Sequence, residues 1–166
     1  MSRTNNSRTL KAGIAMLAGS VMALGSGPAQ AADSLVDALT GGKPVADLRL
    51  RYESVDQAGF AKDADALTLR TRVGYGTGTW QGLSAAFAFE NISALGSEDY
   101  NDTINGKSTF PTIADPETTE LDTAWIRYTG LPDTSLTYGR QKVVLDNARF
   151  VGNVGFRQNQ QTFDGL

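Results

Sequence analysis

Residues 45–55 read V-A-D-L-R-L-R-Y-E-S-V, and residues 66–76 read A-L-T-L-R-T-R-V-G-Y-G. Both alternate apolar and polar side chains with a period of two, the repeat of a β-strand. In the first, Leu48, Leu50 and Tyr52 point one way, and Asp47, Arg49, Arg51 and Glu53 the other. In the second, Leu67, Leu69, Thr71, Val73 and Tyr75 oppose Thr68, Arg70, Arg72 and Gly74. The same period predicts a third strand over Leu83–Ile92, with Leu83, Ala85, Phe87 and Phe89 opposing Ser84, Ala86, Ala88 and Glu90. A fourth is predicted over Leu121–Thr129 and a fifth over Ser135–Gln141.

The connections alternate in length. About ten polar residues, Asp56 to Asp65, separate the first two strands. A short turn, Thr77–Gly82, follows the second; a long acidic stretch, Ser93–Glu120, follows the third; a tight turn, Gly130–Thr134, follows the fourth. Outer-membrane barrels place short turns at the periplasmic rim and long loops outside. Strands of eight to eleven residues also suit a tilted crossing of a bilayer. Trp80 lies in the first short turn, and Tyr75 and Tyr128 precede the two short turns, where amphipathic rings settle at headgroup level. The expected fold class is therefore all-β: an antiparallel transmembrane β-barrel of the bacterial outer membrane, with about the first five strands present and the barrel incomplete. A soluble β-sandwich would alternate equally well. The arginine-heavy polar faces favour a water-filled lumen.

The N-terminus reads as an export signal. Arg3, Arg8 and Lys11 precede an apolar run, Ile14–Leu24, too short for a helix to cross a bilayer core of about 20 residues. Ala29-Gln30-Ala31 offers small residues for cleavage after Ala31. Residues 1–31 are thus expected to be a signal peptide, 32–44 a lead-in (Ser34–Leu39 as one helical turn or a loose segment), and 45–166 the barrel. Within the last, 142–166 forms an extracellular or pore-folded loop. Removal of the three basic residues leaves 12 basic against 18 acidic side chains, a formal charge of −6. That balance argues against a nucleic-acid partner. With neither Cys nor His, the chain offers no disulfide framework, thiolate, imidazole base or ordinary zinc site. No catalytic residue, cofactor or metal is assigned, and no enzyme activity is expected.

The candidate pore-lining residues are Arg49, Arg51, Arg70, Arg72 and Arg127. The first four share the polar face of one hairpin, where facing like charges destabilise. Lumen water and salt would screen them, or Asp47, Glu53 and Glu90 would pair with them. Two roles remain open: a cationic ladder guiding anionic solutes, or a salt-bridge network that stiffens the wall. In the fourth strand Thr123, Trp125 and Arg127 fall on the lumen side, and a Trp there calls for a sugar ring or an inserted loop to stack against. In the fifth, Leu136, Tyr138 and Arg140 share a parity, so either Arg140 sits at the rim or a bulge intervenes at Gly139. The loop acids Glu98, Asp99, Asp102, Asp115, Glu117 and Glu120 lack EF-hand spacing and read as a solvated surface.

Residues 138–166 read Y-G-R-Q-K-V-V-L-D-N-A-R-F-V-G-N-V-G-F-R-Q-N-Q-Q-T-F-D-G-L. This stretch resembles the alginate-export-type outer-membrane barrel family, in which G-R-Q leads into D-N-x-R-F and then R-Q-N-x-Q-T-F-D. Gly139, Arg140 and Gln141 match the first part, and Asp146, Asn147, Arg149 and Phe150 the second. Arg157, Gln158, Asn159, Gln161, Thr162, Phe163 and Asp164 match the third. The resemblance implies a large single-chain barrel passing anionic polysaccharide or small anions through a polar, often electropositive lumen. It also implies that the segment after Gln141 lines or narrows the pore, adding Arg149 and Arg157 to the candidates, with Arg140 of the G-R-Q match just before it. Arg149 with Asp146, and Arg157 with Asp164, would equally pin a loop. Family members are much longer, and the stretch ending at Leu166 lacks an aromatic-ended final strand, so a partial chain is expected.

The expected function is a porin-like channel in the outer membrane of a Gram-negative bacterium, for diffusion or export of small or polymeric anionic solutes. A dedicated exporter of an acidic polysaccharide such as alginate is the narrower alternative. A soluble periplasmic or surface β-sandwich binding protein is the alternative of another class. Expected partners are outer-membrane lipid, the outer-membrane assembly machinery and the anionic solute.

Overall fold

The computed structural model describes residues 19–22, 31–96 and 98–166. The expected signal peptide lies mostly outside them. The elements are β1 (Gly19–Met22), α1 (Leu35–Thr40), β2 (Lys43–Val55), β3 (Ala64–Gly76), β4 (Leu83–Ala94), β5 (Thr118–Leu131), β6 (Thr134–Gln141) and β7 (Phe163–Gly165). The strands form one antiparallel sheet in which each pairs with its neighbour in sequence. The sheet is open, not closed into a barrel. The five expected strands are β2 to β6, each within three residues of its expected bounds. β7, which the sequence did not suggest, is too short to show a period. β1 lies in the expected signal peptide and pairs with the middle of β2. Cleavage after Ala31 would remove it and leave six strands, with β2 at the edge.

The two faces of the sheet are inverted relative to a soluble protein. On β4, Phe87 and Phe89 are 48% and 49% exposed, whereas Ala88 and Glu90 are 2% and 1% exposed. β2 repeats the pattern: Leu48, Leu50 and Tyr52 are exposed, and Arg51 and Glu53 are buried. On β3, Thr68 and Arg70 are buried; on β5, Asp122 is buried and Ile126 and Tyr128 are exposed. Soluble folds bury the apolar face and hydrate the charges. Here hydrocarbon faces out, and among the described residues no second sheet packs on it. The sandwich architecture is therefore absent from the described residues.

What buries the polar face is the two long connections. Residues 95–117 join β4 to β5, and residues 142–162 join β6 to β7. A small apolar cluster of Ala64, Ala66, Tyr100 and Ile113, flanked by Val55 and Phe110, seats the first connection on the sheet. Burial and the carboxylates of Asp102, Glu117 and Glu98 push the Tyr100 phenol up to about 12. Short and long connections alternate, so both long ones leave the same end, together with residues 56–63. At the other end, residues 77–82 and the pair Pro132-Asp133 turn tightly. Asp133 adopts a φ of 50° and Gly82 a φ of 80°, left-handed backbone that Gly and Asp tolerate best.

Register departs from simple alternation in β5. Ala88 faces Thr123 but Phe89 faces Leu121, so Asp122 is an extra, bulged residue. The bulge brings Asp122 onto the buried face beside Thr123, which alternation alone would have denied it. No shift occurs at Gly139, where a bulge was one expectation; Trp125, Ile126 and Ala124 face Gly139, Tyr138 and Arg140 in unbroken register. Gly139 instead lets the strands approach. Its φ is 123°, and a Cβ there would lie 2.2 Å from the Ala124 carbonyl oxygen. Gly139→Ala should therefore destabilise the sheet by at least roughly 1–3 kcal/mol of backbone strain. Gly165→Ala, whose Cβ would meet nothing within 4 Å, should leave stability unchanged. Urea midpoints in detergent micelles measure both, and equal midpoints would contradict the close approach.

Candidate functional site

Strand parity alone brings Asp47, Arg49, Arg51, Glu53, Arg70, Arg72 and Glu90 onto one face. Arg49 and Arg70 stand directly opposite each other. Their side chains relieve the repulsion by taking different partners. Arg70 Nη2 reaches Asp47 Oδ1 at 2.7 Å. Arg49 instead donates to backbone carbonyls of the second long connection: Nη1 to Gly155 (2.9 Å) and Arg157 (3.1 Å), and Nη2 to Phe156 (2.8 Å).

The rest of the face is paired in the same way. Arg51 binds Glu53 and, at 3.0 Å, Asp115 Oδ2, and also donates to the Phe156 carbonyl. Arg72 Nη2 and Lys142 Nζ both lie 2.8 Å from the bulged Asp122. Burial and the neighbouring Arg72 lower the Lys142 ammonium pKa, while the bond to Asp122 opposes them. Glu90 sits between Arg70 Nε (3.8 Å) and Arg72 Nε (3.6 Å), in ion-pair but not hydrogen-bond range. Arg51, Arg70, Arg72, Lys142 and Arg157 thus meet the carboxylates of Asp47, Glu53, Glu90, Asp115 and Asp122, and Arg49 meets backbone carbonyls, so at these positions the cations form a network.

Asp115 locks the two long connections to each other. Its Oδ2 receives Arg51 and lies 3.7 Å from Arg157 Nη1, and its Oδ1 accepts from the Gln158 backbone N–H at 2.8 Å. Gln158, fully buried, then donates through Nε2 to Thr68 Oγ1 (2.9 Å), Thr68 O (3.1 Å) and Arg49 O (3.2 Å). Asn159 Nδ2 donates to the Pro116 carbonyl at 3.0 Å. The sequence places Asp115 in a solvated surface and Gln158 only in the motif of residues 157–164, within a segment expected to line or narrow the pore. Neither lies in a periodic segment, so no alternation marks the bond between them.

The remaining candidates separate. Arg157 joins the network through Glu53 (3.2 Å), not Asp164. Asp164 pairs with Arg140 at 2.7 Å across β6 and β7. Arg140 shares the parity of Leu136 and Tyr138 and stands apart from the buried cluster. Arg149 is exposed, its guanidinium 5.4 Å from the Phe150 ring, with no pairing to Asp146 among the described residues. Three of the other loop acids have partners: Glu98 binds Lys107, Asp102 accepts from the Ile104 and Asn105 N–H groups, and Glu117 accepts from the Ala94 N–H.

Arg127, like Arg49 and Arg149, has no carboxylate partner among the described residues, but unlike Arg49 it is not used on the carbonyls of a long connection, and unlike Arg149 it lies on the sheet. It lies on the polar parity of β5 beside Trp125, with its guanidinium 4.5 Å from the indole centroid, and its Nε donates to Thr137 Oγ1 at 3.0 Å. Among the described residues no carboxylate pairs with it. Its cross-strand neighbours are Ser84 and Thr137, and those of Trp125 are Ala86 and Gly139. The indole thus stacks on a guanidinium, in a stretch of the sheet whose cross-strand neighbours are small side chains.

Removing a partner from a buried ion pair costs about 3–5 kcal/mol. Asp115→Ala should therefore free residues 95–117 and 142–162 together, raising their proteolysis by roughly a hundredfold or more when cleavage follows local opening. Mass-spectrometric mapping of limited digests checks this, and susceptibility confined to one connection would contradict the shared lock. Alkaline titration gives a second check on the seating of residues 95–117. Tyr100 keeps its proton up to about pH 12 when folded, whereas an unfolded phenol loses it from about pH 10. Stability from this group is full below pH 10 and declines between 10 and 12.

Comparison with known protein families, with curated proteins and with solved structures found no match for the chain.

Proposed function

We propose that this chain forms an arc of the wall of an outer-membrane β-barrel, a porin-like channel biased toward anionic solutes. The observation that carries the proposal is the inversion of the sheet: exposed Phe87 and Phe89 alternate with buried Ala88 and Glu90. A contiguous exposed apolar face marks contact with lipid or another protein. In lipid, strands can lie only in a closed barrel, where every backbone group is paired. Closure needs about eight strands at least, so the six strands after the cleavage position act as part of a larger wall. Short turns at one end and long connections at the other supply the asymmetry of such barrels. Tyr75, Trp80 and Tyr128 mark the short-turn rim.

Within that wall the cations divide by role. The network residues hold the two long connections against the lumen side and so narrow the passage. Arg127 keeps a charge that no acid of the described residues neutralises, and it is the side chain best placed to meet an anion. The narrower possibility of an exporter of an acidic polysaccharide such as alginate draws on the resemblance of residues 138–166, and neighbouring genes for polymer synthesis discriminate it.

Planar-bilayer reversal potentials of the closed barrel in a KCl gradient should show anion preference. A unit charge 4 Å from a passing ion in water contributes about 1 kcal/mol, favourable for an anion and unfavourable for a cation, so Arg127→Gln should lower the anion-to-cation permeability ratio by up to roughly thirtyfold. Arg70→Gln should act mainly on stability. Cation preference, or no conductance, would overturn the proposal; recovery of the protein in the soluble periplasm would overturn the barrel itself.

A further inference from the structure

The short-turn rim carries an apolar feature that the fold itself does not use. Helix α1 spans Leu35–Thr40, and Leu35, Val36 and Leu39 are 51%, 65% and 52% exposed. At 100° per residue these three fall within about one quarter to one third of the helix circumference, and Asp37 lies on the far side. Ala38, by contrast, is buried. Six residues cannot hold a helix in isolation; here its own caps and bonds to the rim hold it. Ser34 Oγ accepts from the Asp37 N–H at 3.1 Å, and the Gly41 N–H donates to Asp37 O at 2.8 Å. The Gly78 N–H donates to Ala38 O at 2.8 Å, and the Tyr75 hydroxyl donates to Leu39 O at 2.6 Å. The backbone just before the helix is tied as well, through Ala32 N–H to Thr79 O at 2.8 Å.

Tyr75 settles which side of the wall the helix belongs to. It shares its strand parity with Val73, which is exposed on the apolar face. The helix is therefore fastened from the lipid-facing side, at the same rim as Leu83 and Tyr128, both exposed. Its apolar arc extends a surface already directed outward, at the level where aromatic residues meet headgroups.

We propose that α1 is an interfacial foot, which lays Leu35, Val36 and Leu39 into the headgroup–acyl boundary of the leaflet on the short-turn side. It rests on the barrel reading above for its orientation but makes a separate demand on the lipid. Interfacial helices bury their apolar face by about 5–10 Å at this boundary, and the tether to Gly78 and Tyr75 supplies the ordering that so short a helix lacks. Cleavage after Ala31 would leave the new N-terminus next to this foot, on the short-turn side.

The chain contains no Cys, so a single introduced thiol can be labelled uniquely. Val36→Cys, Leu39→Cys, Asp37→Cys and Ile104→Cys, each carrying an environment-sensitive nitrobenzoxadiazole label, are reconstituted into phosphatidylcholine vesicles containing a headgroup-level nitroxide lipid. Labels at 36 and 39 should be quenched by the nitroxide lipid at least threefold more than those at 37 and 104, and correspondingly less by aqueous iodide. Equal iodide access at all four positions overturns the foot. Shielding of 36 and 39 from both quenchers also overturns it, by showing that protein, such as a second copy, covers the helix. Flotation of the vesicles after a urea wash reports wall insertion independently. Urea-resistant flotation without lipid quenching at 36 and 39 rejects the foot alone; quenching with loss of flotation rejects the barrel alone.

Discussion

Charged side chains can be kept from water only when they are paired, and that constraint organises this molecule. Asp47, Glu53, Glu90, Asp115 and Asp122 receive Arg51, Arg70, Arg72, Lys142 and Arg157 on one face of a single sheet. Because these groups come from four strands and two long connections, satisfying them holds the connections against the sheet. Apart from α1 at the short-turn rim, no element of the described residues covers the apolar face. A water-soluble arrangement would need that face covered; a lipid-facing wall needs it bare.

The network also changes what the arginines would contribute to the proposed channel. Five arginines on lumen-side parity suggest a ladder, yet four of them are committed. Arg49 is used on three carbonyls of residues 155–157, and Arg51, Arg70 and Arg72 on carboxylates. Pairing in a region of low dielectric is a strong structural constraint but leaves little field for a passing solute. Arg127 keeps its field, since an indole and a threonine hydroxyl are its partners.

Much of this was legible in the sequence because period-two alternation states which side chains share a face. It located β2 to β6, assigned Arg49, Arg51, Arg70, Arg72 and Arg127 to one face, and named Asp47, Glu53 and Glu90 as acids to pair with them. Alternation has no power where the chain is irregular. Asp122 reached the buried face through a bulge, β7 was too short to carry a pattern, and Asp115 and Gln158 met only through tertiary folding. The same limit explains the local pairs proposed for Arg149 and Arg157. Sequence proximity suggested Asp146 and Asp164, whereas Arg157 reaches across the fold to Glu53 and Asp164 joins its strand neighbour Arg140.

The central claim is that the inverted sheet presents hydrocarbon to lipid and charge to the interior. A nitroxide scan of residues 86–90 in bilayers tests it most directly, by reading collision with apolar oxygen against collision with a water-soluble nickel chelate. Oxygen maxima are expected at Phe87 and Phe89 and minima at Ala86, Ala88 and Glu90. The opposite phase, or accessibility without a period of two, would contradict it.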